Sequence, residues 1–259
     1  MIYSFYLKYN TNTLLDLSVI SFMLELFFPK YCILCNRSSS YLCYKCIRTK
    51  LNVNFKNICH VCGQSCFTSF IHTECEDSTN LDRLLFFCEY SDQSKKLIET
   101  FKYRHSRVLG YDLGFHLAKY LEFKCLWNNK NDFVITFVPS HTFKRNERGF
   151  NQSELLAIEV SLLTGIKFET ILKKVINNKK QAGSSKELRN INLRNSFKIS
   201  QGSLSEDLLN KVIIIVDDVH TTGATLNECA KVLKAAGCPK VWGLTFAKSL
   251  NYSFADGLK

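Results

Sequence analysis

"VIIIVDDVHTTGATLNECAKVLKAAG" (residues 212–237) runs five β-branched residues into two adjacent carboxylates, then into a short loop with three threonines and a glycine. Val212, Ile213, Ile214, Ile215 and Val216 leave no polar face, which suits a strand buried on both sides of a parallel sheet. Beyond the loop, Leu226, Ala230, Leu233 and Ala236 fall at helical spacing. Gly237, with Pro239 two residues on, stops that helix. "KVWGLTF" (240–246) reads as the next strand, so the stretch predicts a strand–loop–helix–strand crossover.

The loop of such a crossover sits at the carboxyl end of its strand, where open α/β sheets bind ligands. Thr221, Thr222, Gly223, Ala224 and Thr225 offer hydroxyls and backbone N–H groups just ahead of a helix N-terminus, which together cradle a phosphate. Asp217 and Asp218 cannot face that phosphate directly. They suit vicinal sugar hydroxyls, or a water held on Mg²⁺. A phosphate cradle beside acceptors for a diol makes a ribose 5-phosphate site. Residues 213–225 resemble the motif by which type I phosphoribosyltransferases bind 5-phosphoribosyl 1-pyrophosphate (PRPP). The resemblance implies Asp217 and Asp218 on the ribose hydroxyls and residues 221–225 around the 5-phosphate. Regulators built on the same fold keep this loop, so the motif by itself does not separate enzyme from regulator.

A chain of 259 residues with 46% hydrophobic content is enough for one α/β domain plus a small module. Three prolines and no low-complexity tract argue against long disordered linkers. The net charge of +11 is uneven: residues 1–80 hold 7 Lys and Arg against 5 acids, and the remainder holds 27 against 18. Residues 167–198 alone carry 9 basic residues against Glu169 and Glu187, a density that suits polyanions such as nucleic acid, PRPP or an anionic membrane surface. "TLLDLSVISFMLELFFPKYC" (13–32) is interrupted by Asp16 and Glu25 and is too short to span a bilayer, which needs about 20 apolar residues. It reads as an amphipathic helix docked on the protein, with interfacial membrane binding as the minor reading. The chain is expected to be cytoplasmic, at most peripheral at the inner face of the membrane.

Eight of the twelve cysteines fall between residues 32 and 75, spaced Cys32-x2-Cys35-x7-Cys43-x2-Cys46-x12-Cys59-x2-Cys62-x3-Cys66-x8-Cys75. C-x-x-C knuckles without a secretory signal read as zinc ligands rather than a disulfide framework. Cys32, Cys35, Cys43 and Cys46 make a complete four-thiolate site. Cys59, Cys62 and Cys75 begin a second, but position 78 is Ser where a further thiol is expected. Cys66 is the expected replacement, with His60 and His72 as the other candidates. Such sites are structural, because four protein ligands leave no open position. A module this small has no core of its own, so metal is expected to supply most of its folding energy, roughly 10 kcal/mol or more per ion. Cys88, Cys125, Cys229 and Cys238 are scattered and read as core or surface thiols.

Two further stretches complete the pattern. "VPSHTFKRNERGFNQSELLA" (138–157) follows a predicted core strand, "DFVITFVPSH", and "QAGSSKELRNINLRNSF" (181–197) lies in the basic band. With the cysteine module and the PRPP-type motif, they resemble the ComF family, competence-associated and phosphoribosyltransferase-like, over about residues 26–246. The resemblance implies a type I phosphoribosyltransferase-like parallel-sheet domain over 81–259. It also implies a double zinc ribbon-like module over 29–80, behind the N-terminal helix region 1–28. It places Lys144, Arg145, Arg148 and Gly149 in a pyrophosphate loop opposite the ribose phosphate loop, with Mg²⁺ accompanying PRPP. Lys173, Lys174, Lys179, Lys180, Gln181, Arg189 and Asn192 are candidates for contacting nucleic acid or an acceptor, with Lys45, Arg48 and Lys50 near the zinc module. No nucleophile is evident and none is required if PRPP reacts. Two functions are expected to compete. In the first, the protein handles single-stranded DNA during natural transformation, binding PRPP and contacting the uptake machinery. In the second, it is an authentic phosphoribosyltransferase acting on an unidentified acceptor.

Overall fold

The computed structural model describes residues 29–38, 40–66, 70–102, 107–125, 129–140, 149–175 and 195–250. The expected N-terminal helix over 1–28 lies outside them. At their centre is a five-stranded parallel sheet of β1 (Arg83–Glu89), β2 (Phe133–Phe137), β3 (Lys167–Phe168), β6 (Val212–His220) and β7 (Lys240–Lys248). The strand order is β1-β7-β6-β2-β3. An antiparallel pair, β4 (Leu172–Lys174) and β5 (Phe197–Ile199), stands apart from it. The helices are α1 (Tyr44–Lys50) in the cysteine module, α2 (Asp92–Phe101), α3 (Arg107–Lys124), α4 (Gln152–Thr164) and α5 (Ala224–Ala235). Among the described residues no helix is long and apolar enough to cross a membrane.

The unbroken apolar run of β6 behaves as its sequence demands. Ile213 and Ile215 pack into a cluster with Leu226, Ala230 and Leu233 of α5. Ile214 and Val216 join a second cluster with Leu156, Ala157 and Val160 of α4. The two helices therefore cover opposite faces. The chain leaves β2 through α4 toward β3, and leaves β6 through α5 toward β7, so the connections diverge between β2 and β6. A crevice opens at such a switch point, beyond the carboxyl ends of the strands.

The cysteine module does not stand alone on its metal ligands. Cys32, Leu34, Leu42, Cys43, Cys46 and Leu51 belong to the same buried cluster as Phe87, Leu97 and Phe246 of the sheet domain. Asp112 of α3 accepts a hydrogen bond from the Leu42 N–H at 3.2 Å. Val53 bridges antiparallel to Cys88 of β1, and the Asn54 N–H donates to the Phe87 carbonyl at 2.8 Å. Phe70 packs edge-on to Trp242, with the Arg83 guanidinium over both rings. The expectation of a module without a core is thus replaced by one that shares the core of its neighbour. Cys88, Cys125, Cys229 and Cys238 are all buried, which makes them core thiols.

Candidate functional site

The acid pair sits where β6 emerges into the crevice, each residue about nine-tenths buried. Asp217 is engaged inward. Its Oδ1 accepts from the Ser153 hydroxyl at 2.7 Å and from the Asp218 N–H at 2.9 Å. Burial and the neighbouring Asp218 carboxylate push Asp217 up to about 7, against the opposing pull of the Ser153 hydroxyl, the Asp218 N–H and Lys102. Asp218 turns the other way and pairs through Oδ2 with Lys102 Nζ at 3.1 Å. Ser153 and Lys102 carry no motif that singles them out. Ser153 stands just after the RGFNQ segment, and Lys102 is the residue after α2. Asn151 fixes Ser153 in place: its Oδ1 caps α4 by accepting from the Ser153 N–H, and its Nδ2 donates to the Val138 carbonyl beyond β2.

Thr221, Thr222, Gly223, Ala224 and Thr225 line one small concavity of about 30 Å³ with Val219, His220 and Leu226. Gly223 occupies the N-cap of α5 in the left-handed region, φ 77°, with no side chain capping the helix and no acid in its first turn. The Ala224 N–H has the Thr222 hydroxyl at 3.5 Å, a long contact, and with the N–H groups that follow it faces the place where an anion would sit. A Cβ at Gly223 would approach His220 Nε2 to 2.7 Å, so both backbone and space call for glycine. His220 is itself held down by burial, with Lys248 and His60 nearby, to about 3, and packs as a neutral ring beneath the loop.

Gly149 has φ 80° and lies just before α4, and Lys144, Arg145 and Arg148 lie outside the described residues. Lys173 and Lys174 lie on β4. Lys173 faces Lys198 directly across the ladder, both exposed, and Lys174 Nζ lies over the Phe197 ring at 5.3 Å. Lys179, Lys180, Gln181, Arg189 and Asn192 lie outside the described residues.

The cysteines form two clusters. Cys32, Cys35, Cys43 and Cys46 bring four sulfurs within 4.8 Å of one another. Cys35 Sγ and Cys43 Sγ are 3.7 Å apart, close to the ~3.8 Å that a tetrahedron of ~2.3 Å zinc–sulfur bonds requires. Burial works against ionising Cys32, but the N–H groups of Cys43, Leu34 and Cys35 outweigh it and bring the thiol down to about 6. Cys46 is pushed well up by burial and by its three sulfur neighbours. Four thiols sharing one space cannot all ionise without a cation, so the donor set fits a metal such as zinc.

The second cluster joins Cys59, Cys62, His72 and Cys75. His72 Nδ1 lies 3.3 Å from Cys62 Sγ. This corrects the expectation for Cys66, whose thiol instead donates to the Phe70 carbonyl at 2.7 Å. It also removes His60 from the candidates, since His60 is buried and apart from the cluster. The signal for His72 was present as H-x-x-C, the same spacing as the knuckle it completes. The two knuckles are copies in their backbones: the Asn36 N–H donates to the Cys32 carbonyl and the Gly63 N–H to the Cys59 carbonyl. Asn36 and Gly63 are both left-handed.

A family model described as a phosphoribosyl transferase domain matches residues 149–249. Competence protein F of Haemophilus influenzae is 31% identical over 171 residues, 64% of this chain and 73% of its own length. Competence protein ComFC of Bacillus subtilis is 29% identical over 205 residues, covering 76% and 79% respectively. DNA utilization protein YhgH of Escherichia coli is 27% identical over 223 residues, covering 78% and 96%.

Proposed function

The chain belongs to the ComF family of competence-associated, phosphoribosyltransferase-like proteins, and on that premise we propose that it is a zinc-containing PRPP-binding protein that handles single-stranded DNA during DNA uptake. The observation that carries the ribose-phosphate half is the pairing of two buried carboxylates with an uncapped helix N-terminus at one switch point. The 5-phosphate sits on the N–H groups of residues 223–225, with the hydroxyls of Thr221, Thr222 and Thr225 around it. The ribose diol is accepted by the carboxylates. Asp217 offers Oδ2, because Oδ1 is already doubly engaged, and Asp218 exchanges Lys102 for a hydroxyl. Pyrophosphate, with its Mg²⁺, is assigned to Lys144, Arg145 and Arg148 on the family resemblance. Zinc is held by Cys32, Cys35, Cys43 and Cys46, and by Cys59, Cys62, His72 and Cys75, where it supplies rigidity and no reaction step.

DNA handling rests on the names of the relatives and on charge. Two lysines directly opposite one another in a ladder, Lys173 and Lys198, repel unless an anion lies over them. Calorimetry with Mg²⁺-PRPP and then with oligo-dT on one preparation tests both halves; heat from neither ligand would overturn the reading. The match of residues 149–249 to a phosphoribosyl transferase domain favours a second reading, true transfer of ribose 5-phosphate. Pyrophosphate released only when a specific base or nucleotide is added would put that reading first.

A further inference from the structure

We propose that the seam between the first cysteine cluster and α2 is a binding pocket for the phosphodiester backbone of single-stranded DNA, an inference that rests on the DNA-handling reading above. The cavity measures about 500 Å³, within the range of roughly 300–1,000 Å³ usual for ligand sites. Its walls are the first knuckle loop, one side of α1, and α2 of the sheet domain. Apart from Cys35 and Cys46 of the metal cluster, its ionisable lining residues are cations: Arg37, Lys45, Lys50 and Lys96. Lys50 has a structural task, donating through Nζ to the Leu34 carbonyl at 2.7 Å and closing the knuckle loop onto α1.

The other three make no ion pair among the described residues, whereas several nearby lysines do. Lys95, next to Lys96, pairs with Glu99, and Lys119 pairs with Glu122. Like charges gathered around one concavity raise its potential and draw in a polyanion.

Fluorescence anisotropy of labelled dT15 over a series of salt concentrations tests the assignment. The triple variant Arg37→Gln/Lys45→Gln/Lys96→Gln is expected to bind at least tenfold more weakly at low salt. Its log K against log salt slope should be shallower by about 2, at ~0.7 for each phosphate that is no longer neutralised. Metal content, thermal unfolding and Mg²⁺-PRPP affinity should match wild type in this variant. A triple variant that binds dT15 like wild type overturns the pocket and leaves the DNA-handling reading standing on residues 173–198. Wild type that does not bind dT15 at low salt overturns both. Variant-sensitive binding of inorganic pyrophosphate or of phosphatidylglycerol vesicles, with dT15 binding unaffected, would assign the pocket to those anions instead.

Discussion

Asp217 keeps its proton to about pH 7 because its carboxyl is buried beside a second carboxylate, and this sets a sign for pH dependence. Unfolded, the group ionises near 3.8, so between about pH 4 and 7 the folded state binds the extra proton. This contribution to stability therefore falls as pH rises through that window. Asp217→Asn retains an oxygen to accept from Ser153 and removes the titration. Urea unfolding should show the variant gaining on wild type as pH rises from about 4.5 to about 7.5, and a constant gap would rule out the shift. Asp218→Ala is expected to lower Mg²⁺-PRPP affinity tenfold or more, given about 1.5–3 kcal/mol for a hydrogen bond to a charged group. Equal titration curves for the two proteins would end that role. Gly223→Ala should cost about 1–3 kcal/mol in denaturant unfolding, since it combines a left-handed backbone with a clash on His220. The acids and the loop were legible because they are contiguous and their order is chemical. Ser153 and Lys102 were not, because each reaches the pair from a distant helix and no spacing rule relates the positions.

The elements that hold metal show the same division. C-x-x-C spacing announced the first cluster outright, and the backbone explains why: each knuckle folds its own N–H groups back onto its first cysteine. In the second cluster Cys75 was legible, but His72 stood behind Cys66 as the fourth donor because it is a nitrogen in a pattern otherwise built of thiols. Cys75 lies in a 3-10 turn, Thr73–Ser78, whose N-cap is His72, so turn geometry delivers nitrogen and sulfur together. Elemental analysis should therefore find two zinc ions per chain in wild type and in Cys66→Ser, and one in His72→Ala. Loss of metal from Cys66→Ser with retention in His72→Ala would reverse the ligand assignment. Strands β2, β6 and β7 were legible for a related reason, whereas β1 and the two-residue β3 were not read from the sequence. A run such as Val212 to Val216 permits burial on both faces and little else, and α4 and α5 supply the two covers. The pair β4 and β5 was not legible, since three-residue strands in a lysine-rich stretch carry too little pattern.

Across the whole molecule, the module and the sheet domain share one buried cluster, although composition alone makes them look separable. Sequence separates elements along the chain, and only packing tells which of them share an interior. Chelation is accordingly expected to lower the midpoint of a single thermal transition, without splitting off an early one for the module. Two resolved calorimetric peaks after EDTA would show that the two parts melt independently. The uneven charge has a similar lesson: the densest basic band in the sequence is 167–198, yet the cation-lined cavity lies far from it in the chain. Helix α2 runs from that cavity to the acid pair. Lys96 on it lines the cavity, and Lys102, six residues and about 9 Å further along the helix, holds Asp218. In the proposed PRPP complex a ribose hydroxyl displaces Lys102 from Asp218, at the opposite end of α2 from Lys96. Thermodynamic reciprocity then sets the relation between the two ligands. By whatever factor PRPP alters the hold on a DNA strand, the strand alters the hold on PRPP by the same factor, so titrating either ligand in the presence of the other reads one and the same quantity.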